Sequence, residues 1–423
     1  MADTRTPTSH RIGAEEATGE PVVRHAPPGS RSELLLDVFP SFAELESIRG
    51  EWDEFVEGVG GDLFSSFDWC DTWWRHYGSG RRLHIHVVRD ASGGKLVAIL
   101  PMFSERIRVG PFTLRAIRLV GCDHSVTTAA PAIEATRLPD VLPAVVERLV
   151  RDGAWDVLHL GPLPGYYVGI DDLVSAVRSA SAISSVDLRP GHPHMWFDVP
   201  ESFEAFLEHL STKERRNVRR DERKLEQRGA VSRDLVENQA GLAESFDRFV
   251  EMHQQHWRSL GCLGHFADWP DALAFHRDMV ERQHAQGRLL LSRVRVGGET
   301  DASEYSYRFG KRVHWILAAR REGVPGRLGF CGLVRHACEA GLTRIDAMRG
   351  FYEYKRLLGA EMAPQSSIVA VRGGTMPLLR YKMMRLAAWA LDVAYYRVYF
   401  SRLASKLPRT PAPLWRSWIR SRL

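Results

Sequence analysis

Residues 313–355 read VHWILAARREGVPGRLGFCGLVRHACEAGLTRIDAMRGFYEYK. The apolar run Val313–Ala319 predicts a strand, and the apolar residues spaced three and four apart between Leu328 and Leu342 predict a helix. A polar loop, Arg320–Gly329, separates the two, and a second strand, Ile345–Met348, follows the helix. The stretch therefore predicts a mixed α/β fold with a helix between two strands.

The loop before this helix has the composition of a phosphate-binding turn. The first amides of a helix have no partners inside it, the helix dipole favours an anion, and glycine permits a close approach of the backbone. Arg327 between Gly326 and Gly329 adds a positive charge. A tight turn that needs glycine for a positive φ is the alternative. The candidate cofactor-binding residues are Val324, Pro325, Gly326, Arg327, Leu328 and Gly329.

The order of these motifs resembles a known family. The Pro325-Gly326-x-Leu328 helix start, the Gly341–Asp346 strand and the ending Gly350-x-x-x-Tyr354-Lys355 are similar to the C-terminal half of GNAT-like acetyltransferases. The resemblance covers most of residues 34–371. It is strongest to the group named for bacterial cellulose biosynthesis (CelD/BcsL type), which is related to the Fem-type aminoacyl transferases.

Three segments recur in the same order, which predicts two copies of one α/β unit. A strand, proline and helix start at residues 38–42 return at 197–203, and a hairpin turning at Gly93-Gly94 returns at Gly297-Gly298. The Gly153–Gly161 segment returns as Gly341–Gly350. We expect tandem GNAT-like domains: a disordered tail at 1–32, an N-terminal domain at 33–192, a C-terminal acyl-CoA-binding domain at 193–372 and a helical extension at 373–423.

Composition excludes several classes of protein. The 423 residues carry a net charge of +5, which suits an anionic ligand but is too dilute to indicate nucleic acid. The five cysteines contain no Cys-x-x-Cys pair, so neither a disulfide framework nor a zinc site is expected, and no metal is expected elsewhere. Residues 1–32 have no apolar segment of signal-peptide length, which favours the cytoplasm.

Two further segments supply candidate acceptor residues. Ser211 and Glu214 form a capping box that opens a basic helix with Lys213 and Arg216. A solvated face and a rim that binds an anionic acceptor are both open, and a nucleic-acid helix is disfavoured because acidic residues interleave. The resemblance places the rim at this motif and puts His256-Trp257 near the acceptor cleft. The candidate substrate-binding residues are Ser211, Lys213, Arg216, Trp257, Asp346, Arg349 and Tyr352.

The resemblance implies acyl transfer from a thioester, acetyl-CoA, to an amine or hydroxyl. The acceptor must lose a proton, so a base is required. Glu304 is the first candidate, with a half-exposed strand carboxylate as its alternative, and His256 is the second. In the family pattern Lys355, Arg349 and Tyr352 border the active site, and Asp346 organises the turn. No nucleophile with a paired base is recognisable, which favours direct transfer.

Other functions stay open. A Fem-type transferase would take an aminoacyl group from charged tRNA, and a non-catalytic relative would act through protein contacts in polysaccharide synthesis or export. The pattern at Met376–Leu403 predicts a long helix whose charged residues exclude a continuous apolar span. It is a candidate contact for polysaccharide machinery or for a membrane surface.

Overall fold

The computed structural model describes residues 33–124 and 128–422. The predicted disordered tail at 1–32 lies outside the described residues. The strands are β1 (Leu34–Phe39), β2 (Arg82–Asp90), β3 (Leu96–Val109), β4 (Phe112–Leu119), β5 (Ala132–Ile133), β6 (Val157–Leu163), β7 (Ile183–Asp198), β8 (Val231–Leu235), β9 (Leu289–Val296), β10 (Glu299–Phe309), β11 (Arg312–Arg320), β12 (Arg344–Arg349) and β13 (Glu361–Arg372).

The helices alternate with these strands as a mixed α/β fold requires. They are α1 (Arg49–Gly58), α2 (Phe67–Tyr77), α3 (Leu138–Asp152), α4 (Ile170–Arg178), α5 (Phe203–His209), α6 (Thr212–Arg228), α7 (Leu242–Ser259), α8 (His265–Asp268), α9 (Ala272–Ala285), α10 (Arg327–Glu339), α11 (Glu353–Leu357), α12 (Thr375–Asp392) and α13 (Ala412–Ser421). A π-helical segment, Val393–Leu403, continues α12. The long helical pattern predicted at the C-terminal end is therefore confirmed.

In the described part of the chain thirteen strands form one sheet, in the order β1-β2-β3-β4-β6-β13-β7-β12-β11-β10-β9-β8, with β5 paired to β3. Two of the strand pairs are parallel. β4 pairs with β6 over Ala116–Arg118, and β11 pairs with β12 over Arg312–His314. Each parallel pair lies between antiparallel neighbours at the same place in its half of the chain, so the predicted tandem GNAT-like arrangement is confirmed.

Two long strands join the halves. β7 runs without a break through residue 192, where the sequence predicts the domain boundary, and its final residues pair with β12. β13 pairs along its length with β7 and, from Ser366 to Val371, with β6 of the N-terminal half. A strand from each half therefore completes the sheet of the other. The domain boundaries themselves stay a prediction.

Helices cover both faces of the sheet. Successive residues of a strand point to opposite faces, and Val157 and Leu158 of β6 belong to different cores. One face carries α1, α2, α7 and α9, over residues that include Trp52 and Phe275, and α12, which packs on Val157. The other face carries α3 and α4 over the N-terminal half and α5, α6 and α10 over the C-terminal half. No described helix is long and apolar enough to cross a bilayer.

Candidate active site

The site begins where β11 and β12 separate. Their ladder joins Arg312–His314 to Arg344–Asp346, after which β11 stays beside β10 as far as Arg320 and β12 stays beside β7. Two parallel strands that diverge leave a wedge between them. Helix α10 begins at the open end of this wedge, because Arg320 ends the strand and the loop at residues 321–326 leads into the helix.

Asp346 closes the narrow end of the wedge. Its carboxylate is fully buried and accepts hydrogen bonds from His194 Nε2 at 2.8 Å, from Tyr166 Oη at 2.7 Å and from the Met348 amide at 2.8 Å. Burial alone would raise the pKa of Asp346, but the His194 ring, its hydrogen bond and the His314 ring lower that pKa well below its ordinary value. Asp346 thus holds the turn after β12 and joins it to the N-terminal half.

Glu304 lies deep beside the wedge, on β10. Its side chain is buried, and Trp315 Nε1 donates a hydrogen bond of 2.6 Å to its Oε2. Burial raises the pKa of Glu304 to about 8, although Trp315, Arg320 and Lys355 oppose the shift. The half-exposed alternative for this carboxylate is therefore wrong. A carboxyl group with this pKa can exchange a proton near neutral pH, as catalysis requires.

Lys355 lies across the Trp315 ring from Glu304. Its Nζ donates a hydrogen bond of 2.7 Å to the Ala347 carbonyl and lies 4.9 Å from the centre of the Trp315 ring and 4.7 Å from that of Tyr352. Burial lowers the pKa of Lys355 to about 8, against the attraction of Asp346 and Glu304. The structure thus brings together an acid and a base whose pKa values meet near pH 8.

The amino end of α10 has an unusual charge arrangement. The Arg320 guanidinium lies over Gly326, where a Cβ would collide with its Nη1, and it forms no hydrogen bond or ion pair with any described residue. Gly326 has a φ of −59°, so a positive φ does not require glycine here, and a larger residue would have to displace the Arg320 guanidinium. A Cβ on Gly329 would collide with Glu304 in the same way. A bare cation at the positive end of a helix dipole favours an anion between them.

Arg327, predicted as the counter-charge, is engaged elsewhere. Its Nη1 lies 2.9 Å from Glu214 and its Nε lies 3.2 Å from Asp221, both on α6. These ion pairs draw the guanidinium onto α6 and away from the loop. Val324 and Leu328 are buried, whereas Pro325 and Gly326 are half-buried at the surface of the wedge.

The same ion pairs bring the first turn of α6 beside the loop. Ser211 is the N-cap of α6, and its Oγ accepts a hydrogen bond of 3.2 Å from the Glu214 amide. This half of the predicted capping box is confirmed, while the Glu214 carboxylate turns to Arg327. Lys213 and Arg216 are exposed on the same turn. They form a rim outside the wedge.

The remaining candidates lie on two sides of the wedge. His256 and Trp257 are half-buried on α7, where burial and the nearby Arg320 lower the pKa of His256. The Arg349 guanidinium lies 5.3 Å from the centre of the Trp269 ring, turned toward the C-terminal helices. Among the described residues no group of three or more metal-ligating side chains is arranged to hold an ion.

Sequence reasoning missed four side chains that line or support this wedge. Arg320 and Trp315 both lie in the segment 313–355 with which the sequence analysis begins. Their places on the strand that leads into the α10 loop could have identified them as candidates. No nearby sequence pattern identifies Tyr166 and His194, because they are 180 and 152 residues away from Asp346 in the chain.

Comparison with known proteins identifies the class of this fold. Residues 212–356 match the family model described as an acetyltransferase (GNAT) domain, and this range includes α6, Glu304, the α10 loop and Lys355. No curated protein matches the chain. The fold is GNAT-like, and the matched segment is the half that carries the charged wedge.

Three solved structures are similar to the chain. FemX is 12% identical with a TM-score of 0.57, and the match covers 79% of this chain and 98% of that one. L-PGS from Bacillus licheniformis is 12% identical with a TM-score of 0.46, over 80% and 96%. A tandem GNAT protein from the clavulanic acid biosynthesis pathway is 12% identical with a TM-score of 0.40, over 81% and 99%. At this identity, the FemX match shows a shared fold.

Proposed function

We propose that the protein transfers an acyl group from a CoA thioester, acetyl-CoA, to an amine or hydroxyl of an acceptor. The observation that carries the proposal is the unpaired Arg320 guanidinium over Gly326 at the amino end of α10. The GNAT match over residues 212–356 supports it, because that match contains this helix. The half-exposed loop and the exposed rim on α6 leave the site open to a ligand.

The residues at this helix end suit a diphosphate. Arg320 supplies a guanidinium that can bind two phosphate oxygens at once. The first amides of a helix have no partners inside it, although at α10 the Leu328 amide already donates a hydrogen bond of 3.1 Å to the Pro325 carbonyl. Gly326 keeps the approach clear of a side chain. Val324, Pro325 and Leu328 would support the ligand through backbone and apolar contacts. A CoA thioester bound here would supply the acyl group.

Glu304 and Lys355 divide the proton chemistry. Glu304, once deprotonated, would accept the proton that the acceptor loses, directly or through one water. Lys355 in its charged form keeps donors free beyond its bond to Ala347, and these would stabilise negative charge on the reacting carbonyl or hold an anionic acceptor. His256, half-buried on the opposite side of the wedge, is the second candidate base. Asp346 positions the turn that carries Lys355.

The acceptor is the least constrained part of the proposal. Lys213 and Arg216 on the α6 rim suit a carboxylate or phosphate group, and Trp257 and Tyr352 provide apolar surfaces. The resemblance to the cellulose-biosynthesis group favours a carbohydrate-linked acceptor. The protein would then act in bacterial polysaccharide synthesis, in the cytoplasm. Contact with that machinery would fall to the C-terminal helices.

A second candidate is aminoacyl transfer from charged tRNA. The observation that favours it is the basic surface of α6, where Lys213, Arg216 and Arg219 are all exposed. Phosphate contacts of this kind release counterions, so tRNA binding would weaken steeply as salt rises. The two candidates use the same wedge but different donors.

One set of binding measurements distinguishes three possibilities: acyl transfer from CoA, aminoacyl transfer from tRNA, and a protein without catalytic activity. We expect CoA at one hundred times its dissociation constant to add about 2.7 kcal/mol to the free energy of unfolding. A screen of amine, hydroxyl and sugar acceptors by thioester release then identifies the substrate. Retention of charged tRNA with no response to CoA would instead support aminoacyl transfer. No response to either donor would leave a protein that acts through contacts alone.

A further inference from the structure

A second cavity lies on the other face of the sheet, beneath the C-terminal helices. It has a volume of about 400 Å³, and its walls come from β6, β7 and β13 on one side and from α12 and α13 on the other. The side chains that matter are His159, His192, Arg349, Arg385, Trp389 and Arg422. A volume of this size holds a small organic ligand.

The cavity has an excess of positive charge. Arg349 and Arg422 line it, and Asp392, the carboxylate among its lining residues, accepts a hydrogen bond of 3.1 Å from Trp418 Nε1. Arg385 also lines the cavity but lies 3.5 Å from Asp187. Within residues 33–124 and 128–422, no carboxylate lies within ion-pair distance of Arg349 or Arg422. Burial and the charge of Arg422 lower the pKa of Arg349. Both arginines are half-buried, so their guanidinium groups are only partly hydrated, and a bound anion would supply the contact that no carboxylate provides.

Buried polar atoms in the same cavity lack partners. His159 is 2% exposed, and among the described residues neither of its ring nitrogens has a hydrogen-bond partner. The same holds for Nη1 of Arg422, whose Nη2 contacts His192 Nε2. Burial, Arg422 and Arg349 lower the pKa of His192 to about 4, so His192 is neutral and accepts from Arg422. Buried polar groups that the protein itself leaves without a partner are free to bind a ligand or ordered water.

We infer that this cavity binds a phosphate-bearing ligand, with the phosphate between Arg349 and Arg422 and a donor from His159. Guanidinium groups bind phosphate through paired, charge-assisted hydrogen bonds. The cavity exceeds the size of a phosphate ion, so the attached group would extend toward Trp389, which is 66% exposed at the mouth. The inference rests on this cavity alone and does not depend on acyl transfer.

The mouth of the cavity favours a lipid as the source of the phosphate. Met376, Leu379, Leu386 and Trp389 are exposed along α12, beside the basic side chains of Lys382 and Arg385. An exposed apolar stripe with basic flanks is typical of helices that lie on anionic membranes. A soluble sugar phosphate has the same phosphate chemistry, so the experiment uses one probe for each source.

The experiment titrates the full-length protein with inorganic phosphate and, separately, with vesicles of phosphatidylglycerol or of phosphatidylcholine. Binding of free phosphate supports a soluble ligand, and binding only of phosphatidylglycerol vesicles supports a lipid. Arg422→Gln is expected to weaken the binding at least about tenfold, by the loss of a charge-assisted contact. Arg416→Gln is the matched control, because Arg416 lies on α13, the helix that ends just before Arg422, but pairs with Asp271 at 3.3 Å outside the cavity.

The variant His159→Phe tests whether a loss of probe binding reflects a lost contact or a damaged fold. A phenyl ring removes the unpartnered nitrogens and keeps the shape, so the free protein is expected to stay at least as stable while its affinity for the probe falls. Arg320→Gln is expected to leave the phosphate affinity of this cavity unchanged, which separates it from the α10 loop. The inference is overturned if neither probe binds, or if Arg422→Gln and His159→Phe both keep the affinity of the unaltered protein.

Discussion

The two parallel strand pairs of the sheet occupy equivalent positions and differ in charge. In the N-terminal half, Arg118 of β4 faces His159 of β6, and the Arg118 guanidinium contacts Glu105 at 2.9 Å and Asp123 at 3.1 Å. At the same register of the C-terminal half, His314 faces Asp346. The chain itself bridges the N-terminal pair, where the Ala129 amide donates a hydrogen bond of 2.7 Å to the Pro162 carbonyl.

This difference fits the proposal that one copy is structural and the other reactive. Arg118 is buried and contacts two carboxylates, whereas the half-exposed Arg320 guanidinium forms no hydrogen bond or ion pair with a described residue and lies beside a helix end. A buried cation needs such partners, while a half-exposed one is available to an anionic ligand. Perturbed titrating groups cluster at functional sites, and Glu304 and Lys355 both belong to the second wedge.

The largest effect is expected for Gly326→Asp. The new Cβ would collide with Arg320, and the new carboxylate would satisfy that guanidinium and repel a diphosphate. Like charges in contact cost several kcal/mol, so CoA affinity measured by calorimetry should fall by about 1,000-fold or more. Gly50→Asp, at an open position of α1, is the control. Unchanged CoA affinity would remove the distinction between the two wedges.

Glu304→Gln should lower turnover by about 1,000-fold, within the range for loss of a general base. Because Glu304 must be deprotonated and Lys355 protonated, the rate of the unaltered protein should pass through a maximum near pH 8. The variant should lose the limb that rises with pH. A pH profile of kcat/KM with the best acceptor from the screen measures this, and a variant with the original profile would assign the base to His256.

The raised pKa of Glu304 also predicts a change of stability with pH. The unfolded chain loses this proton near pH 4.5 and the folded chain near pH 8, so this group's contribution to stability declines as pH rises between those values. In Glu304→Gln that decline should be absent. Denaturant unfolding at pH 5 and pH 8 compares the two proteins, and parallel curves would contradict the burial of a neutral carboxyl.

Lys355→Ala should lower turnover by about 100-fold, as for removal of one donor to developing charge. The Ala347 carbonyl would be left without its partner, so some stability is lost as well, but less than activity. Kinetics and thermal unfolding of the same sample separate the two effects. Lys311→Ala, at an exposed position, should change neither. Full turnover in Lys355→Ala would reduce this lysine to a structural residue.

The smallest effect tests which arginine faces the ligand. Arg320→Gln should weaken CoA binding by about tenfold or more, the worth of one charge-assisted hydrogen bond. Arg327→Gln should change it by less than about twofold, because the Arg327 guanidinium is held by Glu214 and Asp221 on α6. If Arg327→Gln weakened CoA binding more than Arg320→Gln, Arg327 would be the counter-charge to the diphosphate, as the sequence predicts.

Local sequence patterns predicted the helices and strands, but they could not predict contacts between residues far apart in the chain. The strand, loop and helix at residues 313–339 follow from apolar spacing and glycine placement, as do the hairpins and the C-terminal helix. The burial of Glu304 could not be predicted, since it depends on Gly329 of α10 packing against it. Arg327 pairs with Glu214 of α6, which lies 113 residues earlier in the chain. Local sequence patterns could not show that this arginine contacts α6 and not a ligand at the loop.

The shared strands also constrain how such a protein can change. β13 completes the N-terminal half, although it comes from the far end of the chain, and β7 completes the other half. A cut at residue 192 would expose unpaired strand edges on both fragments, which invites aggregation. Neither copy can therefore be removed without leaving the other an incomplete sheet, so the two halves are bound to fold together.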